Sequence, residues 1–176
     1  MLYIAYGSNI SKNRMRERCP GARFITKGIV DNCTLQFHYK ADIIPVHDYE
    51  LPVVVWDIPE SEVPNLDRAE GYPKHYSKEQ LEVSPVPPLN FEQLVELVGV
   101  ENVRKADDYG VAEIIGTAYA MTDWKKTEWK EHSKQTTIEY AEHIITGYKE
   151  QGFDGWHLHD LWYALCRGEK SPESRS

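Results

Sequence analysis

The stretch Leu2-Tyr3-Ile4-Ala5-Tyr6-Gly7-Ser8-Asn9 decides how the chain reads. Its first four residues are a short run of β-forming side chains, and Tyr6-Gly7-Ser8-Asn9 stops that run with turn residues. Ser11 then stands where a helix cap is favoured, so residues 12–18 are predicted to be helical. A short turn after a strand can present successive backbone N–H groups as a nest for an anion, and Gly7 lets a ligand approach the backbone closely. The helix behind Ser11 offers a dipole to the same end, although the sequence does not give its direction. An ordinary turn is the alternative reading of these four residues.

Working outward, residues 23–30, 34–39 and 51–58 read as extended, and Val53-Val54-Val55-Trp56 suggests burial on both faces. Pro59 and Glu60-Ser61-Glu62 open a helix carrying Leu66, Asp67 and Glu70, which Gly71-Tyr72-Pro73 closes because proline disfavours helical geometry at the residue before it. Strands are predicted over 76–83 and 113–121. Between them Phe91, Leu94, Val95 and Val98 fall on one face at helical spacing. Two further helices are predicted, Ile138–Glu150 ended by Gly152 and 158–167 ended by Gly168. Strands dominate the first two-thirds and helices close the chain, which gives an α+β fold with a mixed or barrel-like sheet.

Length and composition fit one domain: 176 residues, 41% hydrophobic and 27% charged. The formal charge of −8 repels phosphate backbones, and the one basic cluster, from Lys12 to Arg18, is interrupted by Glu17, so nucleic acid is not an expected partner. Cys19, Cys33 and Cys166 cannot all pair within the chain and show no C-x-x-C spacing, so reduced thiols in the cytoplasm are expected. Neither a signal-peptide core nor a transmembrane run is evident, and no membrane partner is expected.

Several residues could carry chemistry. Asp67 and Glu70 lie three apart and so share a helix face, where one partly buried carboxylate could serve as an acid/base; a solvated acidic face is the competing reading. The eleven tyrosines include Tyr6, Tyr72, Tyr76, Tyr119 and Tyr140, whose phenols could orient a polar small molecule or could simply fill half-buried sheet edges. His157 and His159 are spaced onto different faces of a helix with no third ligand nearby, so no metal is expected. His75 could line the same cleft as Glu70 or sit in an exposed turn. No G-x-S-x-G, P-loop or dinucleotide fingerprint occurs.

Taken in order, these pieces resemble the gamma-glutamylcyclotransferase-like superfamily. Its members carry an N-terminal strand followed by Y-G-S-N, here Tyr6 to Asn9, and later an L-D-x-x-E-G helix end followed by tyrosine, here Leu66 to Gly71 with Tyr76. The likeness continues in Val55-Trp56-Asp57, in Ala118-Tyr119-Ala120-Met121-Thr122, and from Tyr140 through Ile144-Ile145-x-Gly147 to Phe153. It spans about residues 1–165.

The resemblance implies a small mixed β-barrel-like sheet with flanking helices, formed as a single domain over 1–168 with a flexible tail at 169–176. Residues 85–108 are longer than the usual link between those strands, and as an insertion they could form a lid, a surface ornament or an oligomer contact. The implied reaction is attack of a γ-glutamyl α-amino group on its own γ-carbonyl, releasing 5-oxoproline and an amine without metal or organic cofactor. Glu70 is the implied acid/base. Gly7, Ser8 and Asn9 would hold the substrate carboxylate, and Tyr6, Tyr76, Tyr119 and Tyr140 would shape the pocket. The expected partner is a small γ-glutamyl molecule, and a homodimer is allowed. Removal of a γ-glutamyl cap from a biosynthetic intermediate, or a non-catalytic module for a carboxylate or peptide terminus, are the alternatives.

Overall fold

The computed structural model describes residues 1–105, 111–131 and 136–153. The helix predicted over 158–167, His157, His159, Cys166 and the tail lie outside the described residues.

Six strands form one sheet: β1 (Leu2–Ala5), β2 (Arg23–Phe37), β3 (Ala41–Asp57), β4 (Tyr76–Val86), β5 (Val103–Lys105) and β6 (Ala112–Met121). The order is β1-β3-β2-β4-β6-β5, and β1 also pairs with β6, so five strands close into a barrel with β5 added on β6. Tyr3 pairs with Trp56 on the antiparallel side and with Thr117 on the parallel side. β1 therefore has no open edge, and Ile4 and Ala5 are fully buried with Val53, Val54 and Val55. This is the mixed barrel expected from the sequence.

The long β2–β3 hairpin departs from the expected elements. Residues 23–30 and 34–39 form one strand rather than two, and β3 begins at Ala41 rather than at 51. The register breaks midway, where Asn32 of β2 faces residues 46–49 of β3. Asn32 and Asp48 both adopt positive φ, 55° and 63°, and the Asp48 N–H donates to Asn32 Oδ1 at 3.1 Å. Such an irregularity bends a ribbon. Beyond it the hairpin tip meets other elements: Asp42 Oδ1 accepts the Met121 N–H of β6 at 2.9 Å, and the Ala41 backbone is held by two tyrosines. Pro45 and the polar run 47–50 hide this strand from a reading based on alternation.

Five α-helices surround the barrel among the described residues. These are α1 (Lys12–Arg18), α2 (Val63–Glu70), α3 (Phe91–Val98), α4 (Asp123–Glu131) and α5 (Ile138–Glu150). Ser11 occupies the N-cap position of α1, but its side chain makes no cap hydrogen bond; the Lys12 N–H donates instead to Glu150 Oε2 at 3.1 Å. The first amide of α1 is thus met by α5, and the expected serine cap is not formed. α3 begins with a reciprocal cap between Asn90 and Gln93 and buries Leu94 against the sheet. The charged α4 had no apolar periodicity to betray it. No helix among the described residues is long and apolar enough to cross a membrane.

Gly147 sets how closely α5 approaches the turn after β1. A Cβ there would stand 2.7 Å from the Ser11 nitrogen and 3.0 Å from the Ile10 carbonyl carbon, and backbone cannot swing aside as a side chain can. Gly147→Ala is expected to destabilise the protein by about 1–3 kcal/mol, since overpacking outweighs the gain in helix propensity. Urea denaturation checks this; an unchanged or raised midpoint would contradict it.

Candidate active site

Glu70 is the last residue of α2. Leu66 anchors that helix in the core, and Gly71 ends it with a left-handed φ of 67°. The Gly71 and Tyr72 N–H groups donate back to the Arg68 and Asp67 carbonyls. The end of the helix is fixed, and with it the carboxylate. Glu70 Oε1 accepts from Asn9 Nδ2 at 2.9 Å and from Arg18 Nη1 at 2.6 Å, with both ion-pair side chains under one-fifth exposed. Arg18 closes α1, so the two helix ends hold each other and Glu70 is held beside a cation.

Asn9 lies in a 3-10 turn, Ser8–Ile10, directly after β1. Its Nδ2 also donates to the Tyr3 hydroxyl at 2.7 Å, and its carbonyl accepts from Trp56 Nε1 at 3.1 Å. The Ile10 and Ser11 N–H groups donate back to Gly7 and Ser8. The Ser8 and Asn9 amides open the turn and have no acceptor among the described residues. Ser8 Oγ accepts from Arg14 Nε at 3.0 Å. A Cβ on Gly7 would point toward the Tyr140 hydroxyl and the Ala41 side chain, 3.4 and 3.5 Å away.

Tyrosines form the remaining wall. Tyr6 donates to the Tyr119 carbonyl, Tyr119 to Asp67, and Tyr76 to the Ala41 carbonyl at 2.9 Å, while the Ala41 N–H donates to the Tyr140 hydroxyl at 3.1 Å. Burial pushes the phenols of Tyr3, Tyr6, Tyr76 and Tyr119 well above their ordinary range, and that of Tyr140 up to about 12. All five therefore act at neutral pH as uncharged hydrogen-bonding groups.

The cleft contains about 280 Å³ of space between atoms, counting its open mouth, and is lined by Tyr3, Tyr6, Gly7, Ser8, Asn9, Ala41, Glu70, Tyr76, Tyr119 and Tyr140. The structure thus brings together all eight residues singled out from the sequence and adds Tyr3 and Ala41. Tyr3 lies in the quoted first strand, where alternation marks it only as a core residue. Ala41 contributes through its backbone, which no side-chain pattern reveals.

Around the cleft stand Arg14, Arg18 and Lys40. Burial lowers the pKa of Arg14, and Arg18 lowers it further; burial, then Arg14 and Arg18, do the same to Lys40, whose Nζ sits 3.9 Å from the Tyr140 ring centroid. In a chain of net charge −8 this rim is locally cationic.

Other expectations fall elsewhere. Asp67 pairs with Lys78 Nζ at 2.7 Å as well as with Tyr119 and does not line the cleft. Burial acts to raise the Asp67 carboxyl, but Lys78 and Tyr119 outweigh it and hold the group below the usual range. His75 does not line the cleft and stacks on Trp124 at 6.5 Å. No described residue of the 85–108 segment lines it either, so a lid has no support from residues 85–105. Among the described residues no cluster of three His, Cys, Asp or Glu could hold a metal ion.

A solved structure named gamma-glutamyl cyclotransferase superposes on this chain with a TM-score of 0.65, at 22% identity, over 92% of this chain and 85% of that one. The chain has a gamma-glutamyl cyclotransferase-like fold. A yeast gamma-glutamyl cyclotransferase specific to glutathione shares that fold with a TM-score of 0.59, at 13% identity and 96% coverage of both chains. YkqA from Bacillus subtilis does so with a TM-score of 0.62, at 15% identity, over 95% of this chain and 54% of that one. No protein-family model and no curated protein matches the sequence. In the cyclotransferase-like fold described here, α2 and the turn after β1 both point their chemistry into the one cleft.

Proposed function

We propose that the chain is a γ-glutamyl cyclotransferase that releases 5-oxoproline and a free amine or amino acid. One observation carries the reading: a carboxylate fixed at the end of α2 faces, within a cleft of neutral tyrosines, a turn whose Ser8 and Asn9 amides have no acceptor among the described residues.

Those amides, with the Arg14 charge behind Ser8, suit the α-carboxylate of a γ-glutamyl group. Glu70 then faces the α-ammonium and takes one proton from it. The freed lone pair forms the N–C bond to the γ-carbon while the carbonyl π pair moves to oxygen. That pair returns as the bond to the departing nitrogen breaks, and the departing nitrogen takes the proton from Glu70. The second ring-nitrogen proton follows over the same carboxylate, so the amine leaves as an ammonium and 5-oxoproline as a lactam with an uncharged nitrogen and its carboxylate intact. Nucleophile and electrophile belong to one molecule, and the cleft need only hold a near-attack shape. The cationic rim favours anionic substrates over neutral amides.

The test is a panel of γ-glutamyl amino acids, dipeptides, lysine ε-amides and glutathione, followed by mass spectrometry. One equivalent each of 5-oxoproline and amine from at least one member is the expected result. Binding across the panel with no release would instead support a carboxylate-binding module.

A further inference from the structure

The tyrosines of the cleft do not use their hydroxyl protons alike. Tyr6, Tyr76 and Tyr119 each donate to a protein acceptor. The Tyr140 oxygen accepts from Ala41 and also meets the Ser8 side chain. The Tyr3 oxygen likewise accepts, from Asn9 Nδ2 at 2.7 Å, and no acceptor among the described residues takes its proton; unlike Tyr140, it is held by the same amide that holds Glu70. A hydroxyl that accepts from one side directs its own O–H elsewhere. Tyr3 is 5% exposed, so water cannot freely substitute for the missing partner.

Asn9 supplies an independent observation. Both hydrogens of its amide are used, one by Tyr3 and one by Glu70 Oε1. Turning the amide over would set its oxygen against the carboxylate, so the orientation is fixed by charge. Asn9 Oδ1 is then a buried acceptor without a partner, on a side chain whose residue is 2% exposed. A donor and an acceptor, both buried and both next to Glu70, are thus unmatched among the described residues. Buried polar groups are nearly always satisfied, and a ligand in the cleft that both residues line can do it. A γ-glutamyl group folded for ring closure carries the matching pair, an amine N–H and a carbonyl oxygen.

We infer that Tyr3 donates its hydroxyl hydrogen bond to the reacting γ-carbonyl oxygen as that oxygen becomes an oxyanion, while Asn9 Oδ1 accepts from the attacking α-amino nitrogen. This rests on the cyclotransferase reading. Tyr3 keeps its proton throughout: it stabilises the electron pair that moves onto oxygen when the ring bond forms and releases it when the leaving bond breaks. Burial holds the phenol far above neutrality, which suits a donor and not a base.

The probe is 2-amino-4-phosphonobutanoate, in which a tetrahedral, negatively charged phosphonate stands in place of the γ-carbonyl. Calorimetry is expected to show binding to the native protein and at least tenfold weaker binding to Tyr3→Phe. In turnover of a γ-glutamyl substrate the same variant is expected to lose about 10²–10³-fold in kcat with KM changed less than threefold. Equal affinity and equal kcat would overturn the role of Tyr3 and leave the cyclotransferase reading standing. A native protein that neither binds the phosphonate nor releases 5-oxoproline would overturn that reading and the inference with it. Should Tyr3→Phe melt well below the native protein, Tyr3→4-aminophenylalanine decides, because it restores an N–H donor on the same ring. Recovered affinity supports the donor role, and lost affinity refutes it.

Discussion

Glu70→Gln is expected to lower 5-oxoproline release by roughly 10²–10⁴-fold, the range for loss of a positioned acid/base group. The amide keeps an oxygen for Asn9 Nδ2 and Arg18 Nη1, the two donors that Oε1 now serves. The fold should therefore survive, and so should substrate binding, which the proposed mechanism assigns mainly to the turn after β1. What disappears is the ability to take a proton from the substrate ammonium and return it to the leaving nitrogen. Rate should fall with little change in KM, the pattern of a group needed in the transition state rather than for binding. Steady-state assays of purified protein with a thermal melt alongside check both halves. A kcat within tenfold of native would remove Glu70 from the mechanism.

Asp42→Leu is expected to cost about 2–3 kcal/mol of stability, a large effect for one side chain outside the chemistry. Asp42 is fully buried at the hairpin tip, where Oδ1 accepts the Met121 N–H and Lys126 Nζ of α4 lies 2.9 Å from Oδ2. Oδ2 lacks a hydrogen bond of good geometry, so the lysine acts through charge and distance. Leucine would leave the Met121 N–H buried without an acceptor. Lys126 is a quarter exposed and can turn to water, which keeps the loss below that of a fully enclosed pair. Because Ala41 is the next residue and lines the cleft, activity should fall along with stability.

The same carboxyl gives a pH test. Burial raises its pKa, and Lys126 with the Met121 and Ile43 amides offset only part of the rise. Between the ordinary carboxylate value and the raised one, the folded state binds more protons than the unfolded state, so stability falls as pH climbs through that window. Asp42→Asn keeps an acceptor and removes the titration. Urea midpoints from pH 4 to 7 should therefore fall less steeply for Asp42→Asn than for the native chain; identical slopes would contradict this.

What the sequence made legible was whatever is encoded locally. The strand, turn and helix from Leu2 to Arg18 follow from β-forming residues, punctuation and a favoured cap position, and α2 follows from its opening prolines and closing Gly71. The cleft residues on these elements could be named because motif order supplied what spacing alone left open between a solvated acidic face and an acid/base. The illegible parts depend on distant partners. β3 starts early because the β2 strand templates it across Pro45, and Ala41 enters the cleft through main-chain atoms. Arg18 read only as the end of an interrupted basic cluster, whereas the meeting of two helix ends makes it the counter-ion of Glu70. Ser11 obeyed the preference for its position, but its side chain makes no cap bond, and Glu150, from the far end of the described chain, takes the first amide of the helix.

The pairing of β1 with both β3 and β6 gives the protein a particular history on the ribosome. β1, which carries Tyr3 and leads into the turn at Ser8–Ile10, finds its second neighbour only when Thr117 has been synthesised. Until then one edge of β1 is bare and Tyr119 has not yet been made. Nascent chains shorter than this can hold a hairpin and a helix but no cleft, and pairings of such long sequence separation form late. The barrel should therefore close abruptly with chain length, with the cleft completed only once α5 adds Tyr140, and a chaperone that shields the exposed edge of β1 during synthesis would raise the yield of folded protein.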